Sequence, residues 1–281
     1  MNENTIDWNE IWKNQTLKQV ESHCVVDCAS IWEEKKNAKR FWEMSLANGG
    51  ERIEKTISGI SISPDSKVLD VGAGPGTLAV PLAERVVHVT AVEPSEGMMN
   101  VLQDNISEYE TDNITCVQKR WEDVNVEVDL EAPYDVVIAS FSLGMPDIRE
   151  SIQKMIDASS RYVYLYWFAG EPSWDIHYRT LWPSLHDSDY HPGPKCDVLY
   201  NVLYQMGIYP HAEVFPLEHV NRFHSVDEAV EYSRSHYKIT TDRQESVLRD
   251  YLEEVLEKDN DSLIMRGSTN RVKMWWEKNK P

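Results

Sequence analysis

The chain has 281 residues, of which 41% are hydrophobic and 27% charged, an ordinary globular composition with enough length for one large domain or a domain with a cap. Lysine and arginine total 28 against 47 aspartates and glutamates, a net charge of −19, so nonspecific binding to nucleic acid or to an anionic membrane is disfavoured and neither partner is expected. No apolar run approaches the roughly 20 residues of a membrane span. The polar start MNENTIDWNE shows no signal or transit peptide, which leaves the cytoplasm as the expected compartment.

In chain order, residues 7–20 place Trp8, Ile11 and Trp12 at helical spacings of three and four. Residues 30–48 repeat the pattern with Ile31, Trp32, Phe41 and Trp42, stopped by Asn48-Gly49-Gly50, and a short helix follows over 51–60. The first strong strand, 67–71, runs straight into Gly72-Ala-Gly-Pro-Gly76. Helix 77–85, strand 86–92, helix 95–108, strand 114–118, strand 134–140, helix 147–158 and strand 161–168 follow. Short β-branched runs alternating with helices predict a parallel sheet of βαβ units.

After 169 the rhythm breaks. Residues 170–195, rich in Pro, Trp, Tyr, His and Asp, read as an ordered but irregular insertion. A helix over 196–207 and a strand over 212–222 come next. Ser225-x-x-Glu228 and Thr241-x-x-Gln244 are capping boxes that open helices to about 236 and 258. Residues 271–277 form the expected last strand. The domain plan is an N-terminal helical lid, 1–60, and a main domain, 61–281, with its insertion at 170–195 and cap helices within 225–262.

The chemistry concentrates in Val68-Leu-Asp-Val-Gly72-Ala-Gly74-Pro-Gly76-Thr77. Glycines at the end of a buried strand allow a tight turn and close approach of backbone to a ligand, with a helix N-terminus just beyond. A dinucleotide fingerprint needs a third glycine where Thr77 stands. Asp70 lies inside the strand end. Glu93 closes the second strand, 17 residues beyond Gly76, where a carboxylate can accept hydrogen bonds from both ribose hydroxyls of an adenosine group, or simply cap the next helix.

Residues 67–168 resemble the class I S-adenosylmethionine-dependent methyltransferases, whose first motif runs hydrophobic-x-Asp-x-Gly-x-Gly-x-Gly. The resemblance implies an α/β Rossmann-like, doubly wound, seven-stranded sheet, mostly parallel with an antiparallel last strand. It implies S-adenosyl-L-methionine as cofactor, with Asp70 among the residues that bind it, Gly72, Ala73 and Gly74 at the methionine moiety, Glu93 on the ribose, and Pro94 and Met98 near the adenine. Where the family often has Gly-Asp-Ala, this chain has Lys119-Arg-Trp-Glu-Asp123. Trp121 is then expected to stack on the adenine, or else to be core, and Glu122 or the backbone to read its edge. Ser140 falls where the family places a residue beneath the sulfonium.

In-line methyl transfer needs positioning, and a base only if the acceptor must lose a proton. No catalytic residue is assigned; His177, Tyr178 and His186, in an aromatic segment that also holds Trp174, Trp182, Tyr190 and His191, are the candidates. That segment suits a small apolar or planar acceptor, or serves only to pack a cap. The tryptophans of the first helices would close over the cofactor or pack on the sheet flank. His23-Cys24-x-x-x-Cys28 and the group His186, Asp187, Asp189, His191 and Cys196 match no metal spacing, so no metal is expected. A non-catalytic cofactor sensor with the same fold and, more weakly, an NAD-dependent oxidoreductase or epimerase are the alternatives. The acceptor and the oligomeric state are not readable.

Overall fold

The computed structural model describes residues 6–22, 32–46 and 50–278. The Cys24/Cys28 pair, Ile31 and the Asn48-Gly49 stop lie outside them.

Strands β1 (Lys67–Val71), β2 (His88–Val92), β3 (Ile114–Val117), β4 (Tyr134–Ser140) and β5 (Ser159–Ala169) run parallel. β8 (Ser262–Glu277) lies antiparallel between β5 and β6 (His211–Phe223), and the short β7 (Glu257–Asp259) pairs with β8. The order β3-β2-β1-β4-β5-β8-β6 reverses between β1 and β4. Ligands of open α/β sheets sit beyond the carboxyl ends of the strands at such a reversal. The expected doubly wound, mostly parallel sheet is therefore what the chain forms.

Both faces are covered because the central strands are apolar on both sides, with β1 and β4 almost fully buried. One face packs under α3 (Glu51–Ser58), α4 (Ala79–Ala83) and α5 (Glu96–Glu108), through Ile57, Leu82 and Leu102. The other packs under α1 (Trp8–Ser22), α7 (Ile148–Ala158) and α9 (Cys196–Gln205), through Trp12, Ile152 and Leu203. Between β3 and β4 lie a 3-10 turn, Trp121–Asp123, and the single turn α6 (Val126–Asp129).

The N-terminal helices divide. Trp12 is fully buried on the sheet flank, its indole donating to Met145 O at 2.9 Å, so α1 is part of the main core. Helix α2 (Lys35–Ser45) instead lies on α5, with Ala38 and Trp42 against Met98 and Val101. Gly97 permits that contact: a Cβ there would stand 2.3 Å from the Trp32 carbonyl oxygen.

Two boundaries differ from the sequence reading. Residues 170–195 are not irregular throughout, because Ser173–His186 forms α8. Pro183 inside that helix and its dense polar and aromatic composition hid the helical period. The loop behind it is tied back by the buried Asp175, which accepts from the Tyr190 hydroxyl at 2.6 Å and meets Lys195 Nζ at 2.7 Å. The last strand begins at Ser262 rather than 271, since its first half, with Arg266, Gly267, Ser268 and Asn270, lacks a continuous apolar alternation. Helices α10 (Val226–Arg234) and α11 (Asp242–Val255) start at the predicted caps and pack with α8 around Leu181, Leu248 and Leu252. Among the described residues, no helix is long and apolar enough to cross a membrane.

Candidate active site

The glycine loop hangs from β2 by backbone hydrogen bonds. Gly72 N and Ala73 N both donate to Val92 O, at 2.8 and 3.0 Å. Gly72 has φ +73°, and a Cβ on it would lie 2.3 Å from Ser142 Cβ, so glycine is required there twice over. The Ser142 hydroxyl donates to Val71 O at 2.5 Å, joining the exits of β1 and β4.

Glu93 clamps this arrangement. Its Oε2 accepts from Gly74 N at 2.8 Å and its Oε1 from Ser95 N at 2.9 Å. Ser95 caps α5, accepting from Met98 N, and its hydroxyl donates to Trp32 O at 2.8 Å. The carboxylate thus links the loop, the start of α5 and, through Ser95, the N-terminal segment. Each of its oxygens keeps a lone pair for a further donor. Burial raises the Glu93 pKa above the ordinary carboxylate range, and the two backbone N–H groups oppose the shift.

Asp70, 2% exposed, is the other acid of the motif. Burial, reinforced by the Glu93 charge, pushes its pKa up to about 7. Asp70 Oδ2 and Thr77 Oγ1, at either end of the loop, are buried without a hydrogen-bond partner among the described residues. An orphaned carboxylate oxygen at the mouth of a glycine turn fits a ligand that brings an ammonium group, as a methionine moiety does. Pro94, just past β2, and Ser140, the last residue of β4, are half-buried, and Met98 is buried under α2.

Trp121 does not stack on a ligand. Its ring is 3% exposed, belongs to the core on the α7 side, and its Nε1 donates to Ser151 O at 3.0 Å. The indole has no open face, which corrects the expectation of an adenine platform. Glu122 is exposed, and its carbonyl accepts from Lys154 Nζ at 2.7 Å.

Beyond β4 the chain presents Phe141, with φ +58° and its N–H donating to Tyr166 O at 3.0 Å. A row of rings leads away from it. Phe141 lies 5.1 Å from Phe168, Phe168 is 5.3 Å from Trp174 in a T-shaped contact, and Trp174 is 6.2 Å from His219. The row ends at a cavity of about 110 Å³ between α8, α10, β6 and β8.

His177 and Tyr178 border that cavity. His177 Nδ1 lies 2.6 Å from the Tyr251 hydroxyl, while Tyr178 stacks on Tyr190 at 5.1 Å. His186 does not join them. Nine residues further along α8 it faces roughly the opposite side. Its Nε2 donates to Tyr237 O at 2.9 Å and its ring packs on Trp182, so it is a packing residue of the cap. His219, Asn221 and Tyr232 were not singled out from sequence, although Leu217, His219, Asn221 and Phe223 alternate along one side of β6. Among the described residues, no three His, Cys, Asp or Glu side chains form a group able to hold a metal ion.

Fold and loop together define a Rossmann-like, cofactor-binding methyltransferase domain, and the family described as "Methyltransferase domain" matches residues 68–161. That match covers about a third of the chain, the part that runs from β1 into β5 and holds the glycine loop. An uncharacterized protein of Haemophilus influenzae is 30% identical over 134 residues, 48% of either chain. The ribosomal RNA small subunit methyltransferase A of Pediococcus pentosaceus is 37% identical over 99 residues, 35% of this chain and 33% of that one. The chain thus spans half or less of the length of these curated relatives. The plantazolicin methyltransferase BamL, solved with a desmethyl plantazolicin analogue and S-adenosylhomocysteine, shares the fold over 98% of this chain and all of its own, at 13% identity and a TM-score of 0.54.

The ribosomal RNA methyltransferases among the relatives overturn the expectation that nucleic acid is excluded as a partner. That expectation rested on the net charge of −19, which averages the whole surface and says nothing of one local patch.

Proposed function

We propose that this chain binds S-adenosylmethionine across the glycine loop and Glu93 and methylates a small acceptor, apolar or planar, held over the ends of β4 and β5. The observation that carries the reading is the pairing of a clamped glycine turn with a buried, unpartnered Asp70 oxygen at the sheet's reversal point. The cofactor, when bound, supplies an activated methyl group on a sulfonium.

Gly72 and Gly74 offer backbone without side chains to its amino-acid part, with the small Ala73 between them turned into the core, and Asp70 accepts from its ammonium group. Glu93 uses its remaining lone pairs for the ribose hydroxyls. Pro94 and Met98 border the adenine, with the start of α5 behind them. Ser140 sits beneath the reacting centre. Residues 32–46 act as the cover on the adenosine side: Trp32 meets Ser95, and Arg40 lies 4.3 Å over the Tyr232 ring, so this segment reaches from α5 to the cap. Phe141, Phe168 and Trp174 line the approach of the acceptor, which favours a flat or apolar molecule.

Calorimetry with S-adenosylmethionine, S-adenosylhomocysteine and NAD tests the cofactor assignment. Heat from both sulfur compounds and none from NAD is expected; the reverse overturns it. Incubation with methyl-labelled cofactor and a cell extract then tests the reaction. Label in a small soluble product supports the acceptor class, label in RNA replaces it, and binding without any turnover leaves a cofactor sensor.

A further inference from the structure

We infer that the cavity between α8, α10, β6 and β8 is a ring-binding subsite, which takes one planar ring carrying a neutral hydrogen-bonding group such as an amide, at the far end of an elongated acceptor. The inference deepens the proposed function and rests on it for its role in methyl transfer, though the binding chemistry of the subsite stands apart from that reaction.

Size comes first. The cavity, about 110 Å³ and partly open to solvent, is smaller than the roughly 150 Å³ that encloses benzene, so it takes no more than a single ring, part of which stays at the opening. Its walls favour a flat occupant. Trp174 is fixed edge-on to Phe168 and tilted against His219, and Tyr178 is held by its stack on Tyr190. Rigid aromatic walls bind planar rings through offset and edge contacts that a puckered ring of equal volume does not make.

Polarity comes second. His177 and His219 both border the cavity. Burial holds both imidazoles below their ordinary pKa, and a charge on His219 would oppose one on His177, so His177 is neutral near pH 7. Burial raises the pKa of Tyr251, which keeps its proton. The Tyr251 hydroxyl and His177 Nδ1 lie 2.6 Å apart and pair with each other, which leaves Nε2 as the ring nitrogen for a ligand. That nitrogen donates or accepts according to the tautomer, and an amide, which offers both a carbonyl oxygen and an N–H, pairs with either. A cation is disfavoured: the guanidinium of Arg40 already covers the Tyr232 ring, and Arg266 borders the same cavity.

Position makes the site a distal one. The ring row from Phe141 through Phe168 and Trp174 spans the distance between the glycine loop and the cavity, with Ser142 packed on Gly72 at its near end. A molecule that reaches both ends is longer than one ring.

The test titrates benzamide, cyclohexanecarboxamide and benzylamine separately into the full chain, followed by saturation-transfer NMR. Benzamide has the planar ring and the carbonyl acceptor, cyclohexanecarboxamide the same amide on a puckered ring, and benzylamine a cation. Benzamide is expected to bind at least tenfold more tightly than either control, and to lose at least tenfold in Trp174→Ala and in His177→Phe. S-adenosylhomocysteine affinity, measured on the same samples, is expected to stay within twofold of wild type and shows that each variant is folded. Equal binding of the three probes, no binding of any, or benzamide affinity unchanged in both variants overturns the inference. Benzamide binding as expected without any S-adenosylhomocysteine binding overturns the proposed function and leaves the subsite standing.

Discussion

The glycine-loop half of the site and the cap half are built from different materials. Around Gly72 and Glu93 the geometry is set by backbone hydrogen bonds from Gly72, Ala73, Gly74 and Ser95. Around Trp174 and His177 it is set by side chains on four elements that are distant in sequence. A backbone-built site tolerates little change, because each contact is also a fold contact. A side-chain-built site can be rewritten residue by residue while the fold stays. The difference is why the loop end carries a readable motif and the cap end does not.

The largest expected effect breaks the backbone half. Gly72→Ala puts a methyl group against Ser142 at a positive φ, and is expected to cost about 1–3 kcal/mol of stability, with cofactor affinity falling about a hundredfold or more, 1.4 kcal/mol per decade. Thermal melts and calorimetry read the two losses. A variant that binds as wild type does would mean the loop is not the cofactor cradle.

Glu93→Ala sharpens the comparison, since it removes a proposed ligand contact and a clamp together. Cofactor binding is expected to weaken by about 1.5–3 kcal/mol, the range for hydrogen bonds to charged groups. The melting temperature is expected to fall as well, because Gly74 N and Ser95 N lose their acceptor. Unchanged affinity with lowered stability would leave Glu93 a structural clamp alone.

Asp70 gives the backbone half a pH signature. Its folded pKa of about 7 lies above the ordinary 3.8, so the folded chain holds a proton that the unfolded chain has released. That contribution is full below the unfolded value and is lost as pH rises through about 7. Glu93, shifted in the same direction, adds to the slope. Urea titrations across this window should show stability falling with rising pH, and less steeply in Asp70→Asn. An ammonium group seated beside Asp70 should expel the proton, so calorimetry in buffers of different ionisation enthalpy should register proton release near the middle of the window. Stability that rises with pH equally in both proteins would contradict the protonated Asp70.

The smallest effect is a negative one. Trp121→Phe loses the hydrogen bond to Ser151 O, worth about 1 kcal/mol of stability, and should leave cofactor affinity unchanged. A large loss of affinity in a variant of normal stability would restore the adenine platform.

These contrasts explain what could be read in the sequence. The sheet, the loop and Glu93 were legible because their signals are local: apolar runs, glycines at fixed spacing, and an acid at a strand end. Trp121 was misplaced because neither its residue type nor its position tells a core indole from a stacking one. Its burial is decided by α7, which arrives later in the chain. Helix α8 was hidden by Pro183. The cavity was hidden because His177, His219 and Tyr251 are brought together only by the fold of the cap. His186 shares its type with His177 but, by its place on the same helix, not its surroundings.

Hydrogen exchange with and without S-adenosylhomocysteine tests the division of the site most directly. The account predicts protection on binding at residues 72–77 and 93–98, with 173–178 and 232–237 unchanged. Protection confined to the cap segments, with the glycine loop exchanging as before, would contradict it.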